Sequence, residues 1–377
     1  MNSAFKENYL PDGQVELRKI RVLVAPLDWG LGHATRCIPI IYELLKHKCD
    51  IWIAAEGAQE ALLKEEFPNL PFLHLNGYRV KYGRSAASML WSMLRQSTKI
   101  LKAIKEENAW LKRMVDEHGF DLVLSDNRYG LYHTTIPAVF ITHQLLIKSP
   151  WGKWSERLLQ KRNYKYINHF TECWVPDEEG KNNLAGELSH PKNKPGIPVH
   201  YTGSLSRFKK TGADEKPGHL LFILSGPEPQ RTILENIVIR DIAHYPGSAT
   251  IVRGLPAAAN IIPSTNTIKL YNHLSADALN KEMDKAEYII SRSGYSTIMD
   301  LSGWKKKSIL IPTPGQTEQE YLARYLLQKQ SALYLPQDKF RLNIALLEAK
   351  KFPYHFSNLP AGDKLHTLVS KLILSIT

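Results

Sequence analysis

The sequence predicts an α/β protein built as two Rossmann-like domains, each a parallel sheet with helices on both faces. Three observations carry this. Short runs rich in Val, Ile and Leu alternate with longer stretches of helical spacing along the chain. Several of the short runs are apolar at every position, as strands covered on both faces are. The alternation also stops near the middle, passes through a segment rich in Pro, Gly and Lys, and then restarts.

The first series of strands is IRVLVAPL (20–27), DIWIAA (50–55), PFLHL (71–75), DLVLSD (121–126), AVFITH (138–143) and ECWVPD (172–177). Helical spacing falls on IPIIYELLKHK (38–48) and on the long, polar-rich stretch 88–119. Residues 178–219 change in texture and read as a connection between domains, with one short strand, VHYTG, inside them. The second series is HLLFILSG (219–226), SATIVRG (248–254), TIKLYNHL (267–274), EYIISRSG (287–294) and KSILIPTP (307–314). Helices are expected near 229–241, 295–304 and 317–330, and the closing LHTLVSKLILSIT again has helical spacing. The predicted domains are therefore 1–200, 201–350, and a C-terminal helix within 351–377 that packs back on the first. Ligands of such folds sit at the carboxyl ends of the strands, so the two domains are expected to face one another across a ligand-binding cleft.

Composition narrows the class. The chain has 377 residues, a net charge of +12 and only three cysteines, Cys37, Cys49 and Cys173, without metal-ligand spacing. A disulfide framework and a zinc motif are not expected. The start, MNSAFKENYLPDGQ, has no apolar core of a signal peptide, and no stretch reaches the ~20 apolar residues that span a bilayer. The expected location is the cytoplasm, with peripheral contact to a membrane. The positive charge favours anionic partners: phosphorylated small molecules, acidic lipid or nucleic acid.

Chemistry concentrates at strand ends. In DWGLGHATR (28–36), Gly30 and Gly32 let the backbone approach a ligand, and His33 stands at the amino end of a helix. The helix dipole disfavours an imidazolium there, so His33 is a candidate general base. The alternative is a histidine that merely caps the turn. A dinucleotide fingerprint fits poorly, because Thr35 stands where the third glycine belongs. Asp126, at the end of DLVLSD, is expected to orient His33 or to act as the base itself. His143 and Gln144 are candidates for positioning an acceptor.

In the second half, SRSGYST runs from a strand into a helix. Ser293, Gly294, Ser296 and Thr297 offer amides and hydroxyls to phosphate oxygens, and Arg292 adds charge. Asp300 is a candidate for ribose hydroxyls. The following loop, GQTEQE, supplies Gln316, Gln319 and Glu320 for sugar hydroxyls, and Ser225 and Gly226 mark a turn suited to a diphosphate. Plain helix capping is the competing reading of these residues.

Together GLGHATR and SRSGYSTIMDL…PTPGQTEQE resemble the two-domain nucleotide-sugar glycosyltransferases of the MurG kind, glycosyltransferase family 28. Arg292, Ser293, Gly294 and Thr297 stand at that family's RSG-x-x-T spacing. The resemblance implies the GT-B fold and a UDP-sugar donor, N-acetylglucosamine-like, held mainly by the second domain. The chain departs from the pattern in four places. Asp300 replaces a glutamate, Gln319-Glu320 replaces paired glutamines, SGPEPQ replaces a GGSQG-like turn, and Ile141-Thr142-His143-Gln144 only partly matches an HEQN loop. The last departure argues against the cell-wall lipid intermediate as acceptor.

The expected reaction is a metal-independent, inverting transfer of an N-acetylhexosamine from UDP to a hydroxyl. No Asp-x-Asp element calls for a divalent metal, no cofactor is expected, and Arg292 is expected to stabilise the departing diphosphate. Basic, aromatic stretches at 77–99 and 146–170 suit an acidic lipid surface, and a lipid-linked or envelope glycan would be a fitting acceptor. No nucleic acid is expected, since no RRM, KH, zinc-finger or helix-turn-helix pattern is present. Two rivals stand beside this reading: a nucleotide-sugar hydrolase or epimerase on the same scaffold, and a non-catalytic binder of anionic ligands.

Overall fold

The structure is a computed structural model that describes residues 5–9, 15–78, 97–208, 212, 214–255, 262–356 and 364–376. It divides into two compact units: one runs to Arg207 and also includes the last helix, and the other begins at Phe208. The first expected basic, aromatic stretch, 77–99, lies almost entirely outside the described residues, as does the start of the long helix expected from 88.

The first unit is built on seven parallel strands: β3 (Arg21–Pro26), β4 (Asp50–Ala55), β5 (Phe72–His74), β6 (Leu122–Asp126), β7 (Ala138–Ile141), β8 (Glu172–Val175) and β9 (Val199–Tyr201). Their order across the sheet is β5-β4-β3-β6-β7-β8-β9. Strands β6 and β7 are buried at every position, which is why their sequences are continuous rather than alternating. Leu23, Val123, Phe140, Phe170 and Val175 meet in the core beneath them. The chain starts at β3 in the middle, builds outward to β5, then returns to add β6 on the other side of β3. Ligands bind such sheets where the order reverses, just beyond the ends of β3 and β6.

A hairpin precedes this sheet and has no counterpart in the sequence reading. Strands β1 (Phe5–Tyr9) and β2 (Val15–Lys19) pair antiparallel, Phe5 opposite Lys19. Arg18 fixes it by donating two hydrogen bonds to buried Asp121, at 2.6 and 2.7 Å, and Lys6 adds a third at 3.2 Å.

Helix α1 (Leu31–Lys46) begins seven residues before the expected position 38, taking in GLGHATR and carrying Pro39 within it. Gly30, at φ 75°, is the turn that makes this early start feasible, a backbone angle open mainly to glycine. Ala34, Cys37, Ile38, Ile41 and Leu44 form the buried stripe of α1 at helical spacing. Apolar burial at that spacing outweighs the breaker residues that suggested a later start.

Residues 178–207 are part of the first unit and not a connection between domains. Buried Asp177 organises them: its carboxylate accepts hydrogen bonds from the amides of Glu178, Leu184 and Ala185 and from the Ser189 hydroxyl. The last helix, α10 (Lys364–Leu374), lies against α1, with Lys364 2.7 Å from Glu178.

The second unit repeats the plan with strands β10 (His219–Ile223), β11 (Ser248–Val252), β12 (Ile268–Tyr271), β13 (Tyr288–Ser291), β14 (Ser308–Leu310) and β15 (Leu333–Tyr334). Their order is β12-β11-β10-β13-β14-β15, all parallel, so the reversal falls between β10 and β13. Leu220, Phe222, Ile251, Ile290, Ile309 and Phe340 form its core.

One buried ion pair fastens the loops beyond β3 and β6. Arg128, 1% exposed, bonds Glu107 at 2.5 Å and donates to the carbonyls of Pro26 and Asn76. The second Glu107 oxygen accepts from the Tyr78 hydroxyl and the Gly130 amide. Removing one partner would strand the other charge in the interior. Glu107→Ala is therefore expected to lower unfolding stability by about 3–5 kcal/mol, read from denaturant melts, with a Glu107→Gln variant recovering part of the loss.

Candidate functional site

In the first unit, four polar side chains converge beyond the ends of β3, β6 and β7. Asp126 closes β6 and is fully buried. His33 lies in the first turn of α1, Arg36 follows one turn on, and His143 comes two residues after β7. The i,i+3 spacing puts His33 and Arg36 on one helix face, and both reach Asp126. His33 Nδ1 is 3.0 Å from Asp126 Oδ2, and Arg36 Nε donates to the same oxygen at 2.8 Å. A second, very short bond joins Arg36 Nη2 to Asp126 Oδ1. Arg36 also reaches His33 Nδ1 at 2.7 Å and His143 Nδ1 at 3.2 Å.

Burial raises the Asp126 pKa, but Arg36 and His33 outweigh it and hold the group below the ordinary carboxylate range. Asp126 is therefore ionised and acceptor-only, so a neutral His33 either donates Nδ1–H to Asp126 or accepts at Nδ1 from the Arg36 guanidinium, with its proton then on Nε2. Only the first tautomer leaves a lone pair on Nε2. Burial, and then the charge of Arg36, lower the His33 pKa, while Asp126 opposes them. The His33 side chain is 15% exposed, whereas Arg36 and Asp126 are sealed at 3% and 0%. In its Nδ1–H tautomer the cluster presents one neutral basic nitrogen, oriented from behind by a buried carboxylate.

Arg36 is the residue that sequence reasoning missed, although it ends the DWGLGHATR stretch. Its signal was the i,i+3 relation to His33.

In the second unit, the helix α7 (Tyr295–Trp304) opens just beyond β13, with Gly294 as its N-cap. Ser296 and Thr297 lie in its half-buried first turn, and Asp300 is half-buried one turn further on. Gly226, at φ 105°, is exposed in the turn after β10 beside half-buried Ser225. A Cβ there would come within 3.3 Å of the Thr313 hydroxyl. That hydroxyl is buried and without a hydrogen-bond partner among the described residues. An orphaned hydroxyl beside an open glycine turn suits an incoming anion, which would satisfy it.

Three of the expected donor-binding residues have another role. Arg292 is 1% exposed and its guanidinium donates to the carbonyls of Ser225, Gln230, Ile311 and Pro312 at 2.7–3.4 Å. Burial pulls its pKa down to about 10, which keeps it charged at neutral pH. It ties the three loops together and does not present charge to a diphosphate. Ser293, fully buried, gives its hydroxyl proton to the Gln319 carbonyl, and the Gln319 side chain accepts from the Thr313 amide. Glu320 accepts from the Gly315 amide at 3.0 Å, and Gln316 is the N-cap of helix α8 (Thr317–Gln328). The GQTEQE loop is thus folded onto itself, with Gln319 buried and its other members, Gln316 and Glu320 among them, half-buried.

The comparisons with known proteins fit this geometry. Residues 265–357 match the glycosyltransferase family 28 C-terminal domain. The UDP-N-acetylglucosamine–N-acetylmuramyl-(pentapeptide) pyrophosphoryl-undecaprenol N-acetylglucosamine transferase of Haemophilus ducreyi is 21% identical over 323 residues, 82% of this chain and 83% of that protein. Among solved structures, the kitacinnamycin glycotransferase aligns over 94% of this chain and 95% of its own, with a TM-score of 0.61 and 13% identity. The Acinetobacter baumannii MurG aligns over 95% of this chain and 94% of its own, with a TM-score of 0.53 and 13% identity. The spinosyn rhamnosyltransferase SpnG, complexed with thymidine diphosphate, aligns over 95% of this chain and 96% of its own, with a TM-score of 0.55 and 16% identity. The two doubly wound units form the GT-B fold.

The His33 electrostatics yield a direct test. Asp126 raises the His33 pKa and Arg36 lowers it, so Asp126→Asn is expected to shift imidazole titration further to acid. Nitrogen NMR of the histidine rings reads this; an unchanged or more basic His33 would refute the assigned contact.

Proposed function

We propose that this chain, a MurG-like glycosyltransferase of the GT-B fold, moves an N-acetylhexosamine from UDP to an acceptor hydroxyl by a metal-independent, inverting displacement. The observation that carries this reading is the His33–Asp126 contact at the reversal point of the first sheet, which supports an Nδ1–H tautomer with Nε2 as the base. In the proposed step, His33 Nε2 takes the acceptor proton as the oxygen attacks the anomeric carbon. The bond to the diphosphate breaks as the new bond forms, so a single displacement inverts the centre. Asp126 stabilises the transient imidazolium, and Arg36 keeps Asp126 ionised.

The departing diphosphate needs fixed positive dipoles. The start of α7, with Gly294, Ser296 and Thr297, supplies amides and hydroxyls, and Ser225, Gly226 and the orphaned Thr313 hydroxyl add to them. Asp300 is assigned to the ribose, and Gln316 and Glu320 to the sugar. The named substrate of the Haemophilus relative supports UDP-N-acetylglucosamine as the donor, and the thymidine diphosphate bound to SpnG makes the base a point to test.

No helix among the described residues is long and apolar enough to cross a membrane. Helix α4 (Lys153–Ile167) and the turn before it expose Trp151, Trp154 and Leu158 by 47%, 67% and 62% beside Lys153, Arg157, Lys161 and Arg162. This face suits peripheral contact with acidic lipid at the cytoplasmic side, where a lipid-linked acceptor would be met. Co-sedimentation with phosphatidylglycerol vesicles is expected to fall in a Trp151→Ser/Trp154→Ser variant and at raised salt. Equal binding by wild type and variant would remove the membrane assignment.

The function itself is tested by donor-dependent stabilisation and turnover. UDP and UDP-N-acetylglucosamine are expected to raise Tm more than thymidine diphosphate does. His33→Ala should keep that shift but lose about a hundredfold or more in kcat. Because the base acts deprotonated and its pKa is lowered, kcat/KM should rise with pH only below the ordinary imidazole range and be flat above it. An unimpaired His33→Ala enzyme would end the proposal.

A further inference from the structure

At the far end of α1 from His33, a second cluster is assembled that the transfer reaction does not use. Glu43 and His47, four residues apart on the last turns of α1, face His366 and Ser370, four residues apart on α10. Glu43 Oε1 is 2.6 Å from His366 Nδ1 and 3.6 Å from His47 Nε2. The two imidazoles stack with ring centres 5.2 Å apart, and Ser370 Oγ lies 3.3 Å from His47 Nε2. The three ligand atoms all lie within 4.8 Å of one another.

The electrostatics of this corner favour a cation. Glu43 is 4% exposed and sits at the C-terminal, negative end of a helix, where a carboxylate is disfavoured. Lys46 satisfies one of its oxygens at 2.8 Å, leaving Oε1 turned toward the histidines.

We infer that Glu43, His47 and His366 form a divalent transition-metal site of the zinc class, with Ser370 or water as a fourth ligand. Two imidazoles and one carboxylate are a zinc-type donor set, and Mg2+ and Ca2+ favour all-oxygen shells. Seating an ion at Zn–N distances of about 2.0–2.1 Å would open the Glu43–His366 contact, a movement that falls chiefly to His366, whose side chain is 46% exposed. Coordination would release any proton on the ligating nitrogens and join α1 to α10 by a bond between segments more than 300 residues apart in sequence.

Zinc titration of the chelator-treated, full-length protein tests this. One equivalent of Zn2+ is expected to bind against a chromophoric chelator and raise Tm. His366→Ala, compared with its own metal-free Tm, should weaken that equivalent by at least about tenfold and abolish the Tm shift. His74→Ala, which removes an exposed imidazole elsewhere, should leave both intact. Mg2+ in place of Zn2+ should give no shift. The site is refuted if no saturable equivalent is found, or if His366→Ala binds zinc as wild type does. Failure here would leave the sugar-transfer reading untouched, since neither the donor nor the acceptor enters the titration.

Discussion

The base proposed for the first unit depends on one buried carboxylate. Asp126 has no access to water, so its charge is tolerable only because Arg36 pairs with it through two hydrogen bonds and His33 through a third. The same pairing sets the charge of the imidazole. Without Arg36, the imidazole would be the main counter-ion and would tend to charge; with it, His33 can remain neutral beside an ionised aspartate. In the proposed transfer the cost is that Asp126 would stabilise a transient imidazolium less than an unpaired carboxylate would.

The two sheets solve a common problem in the same way. Each must fix the loops at its reversal point, where backbone carbonyls would otherwise be left unpaired. In the first unit, Arg128, two residues beyond β6, donates to the carbonyl of Pro26 at the end of β3. In the second, Arg292, one residue beyond β13, donates to the carbonyl of Ser225 after β10. Both arginines are 1% exposed, and both act by holding backbone in place. They differ in balance: Arg128 has Glu107 as counter-ion, whereas the partners of Arg292 among the described residues are all carbonyl oxygens. A guanidinium with fixed, planar donors can serve several carbonyls at once, which lysine could not.

Much of the fold was legible because strands buried on both faces must be apolar throughout, and that shows in one sequence. Strands β3, β6, β7, β10 and β13 were all read within a few residues of their observed bounds. What escaped depends on partners distant in the chain. The N-terminal hairpin is polar and is held by Asp121, more than 100 residues away. The early start of α1 was hidden by Gly30, Gly32 and Pro39, which are breakers unless burial overrides them. At the site, His33 and Asp126 were legible as strand-end polar residues, while the roles of Arg36, Arg292 and Ser293 were not. A charged side chain in a motif looks equally functional whether it points to a ligand or into the protein, and only burial separates the two.

The C-terminal helix that covers part of α1 belongs to the first unit, although the whole of the second unit is encoded before it. During synthesis the seven strands of the first sheet have all been made by Tyr201, more than 160 residues before α10 begins at Lys364. The outer flank of α1 then waits, with Glu43 uncovered, until the ribosome has finished the second sheet. A nascent chain at that stage exposes a surface that the mature protein hides, and it is there that a chaperone or a premature stop would be felt first.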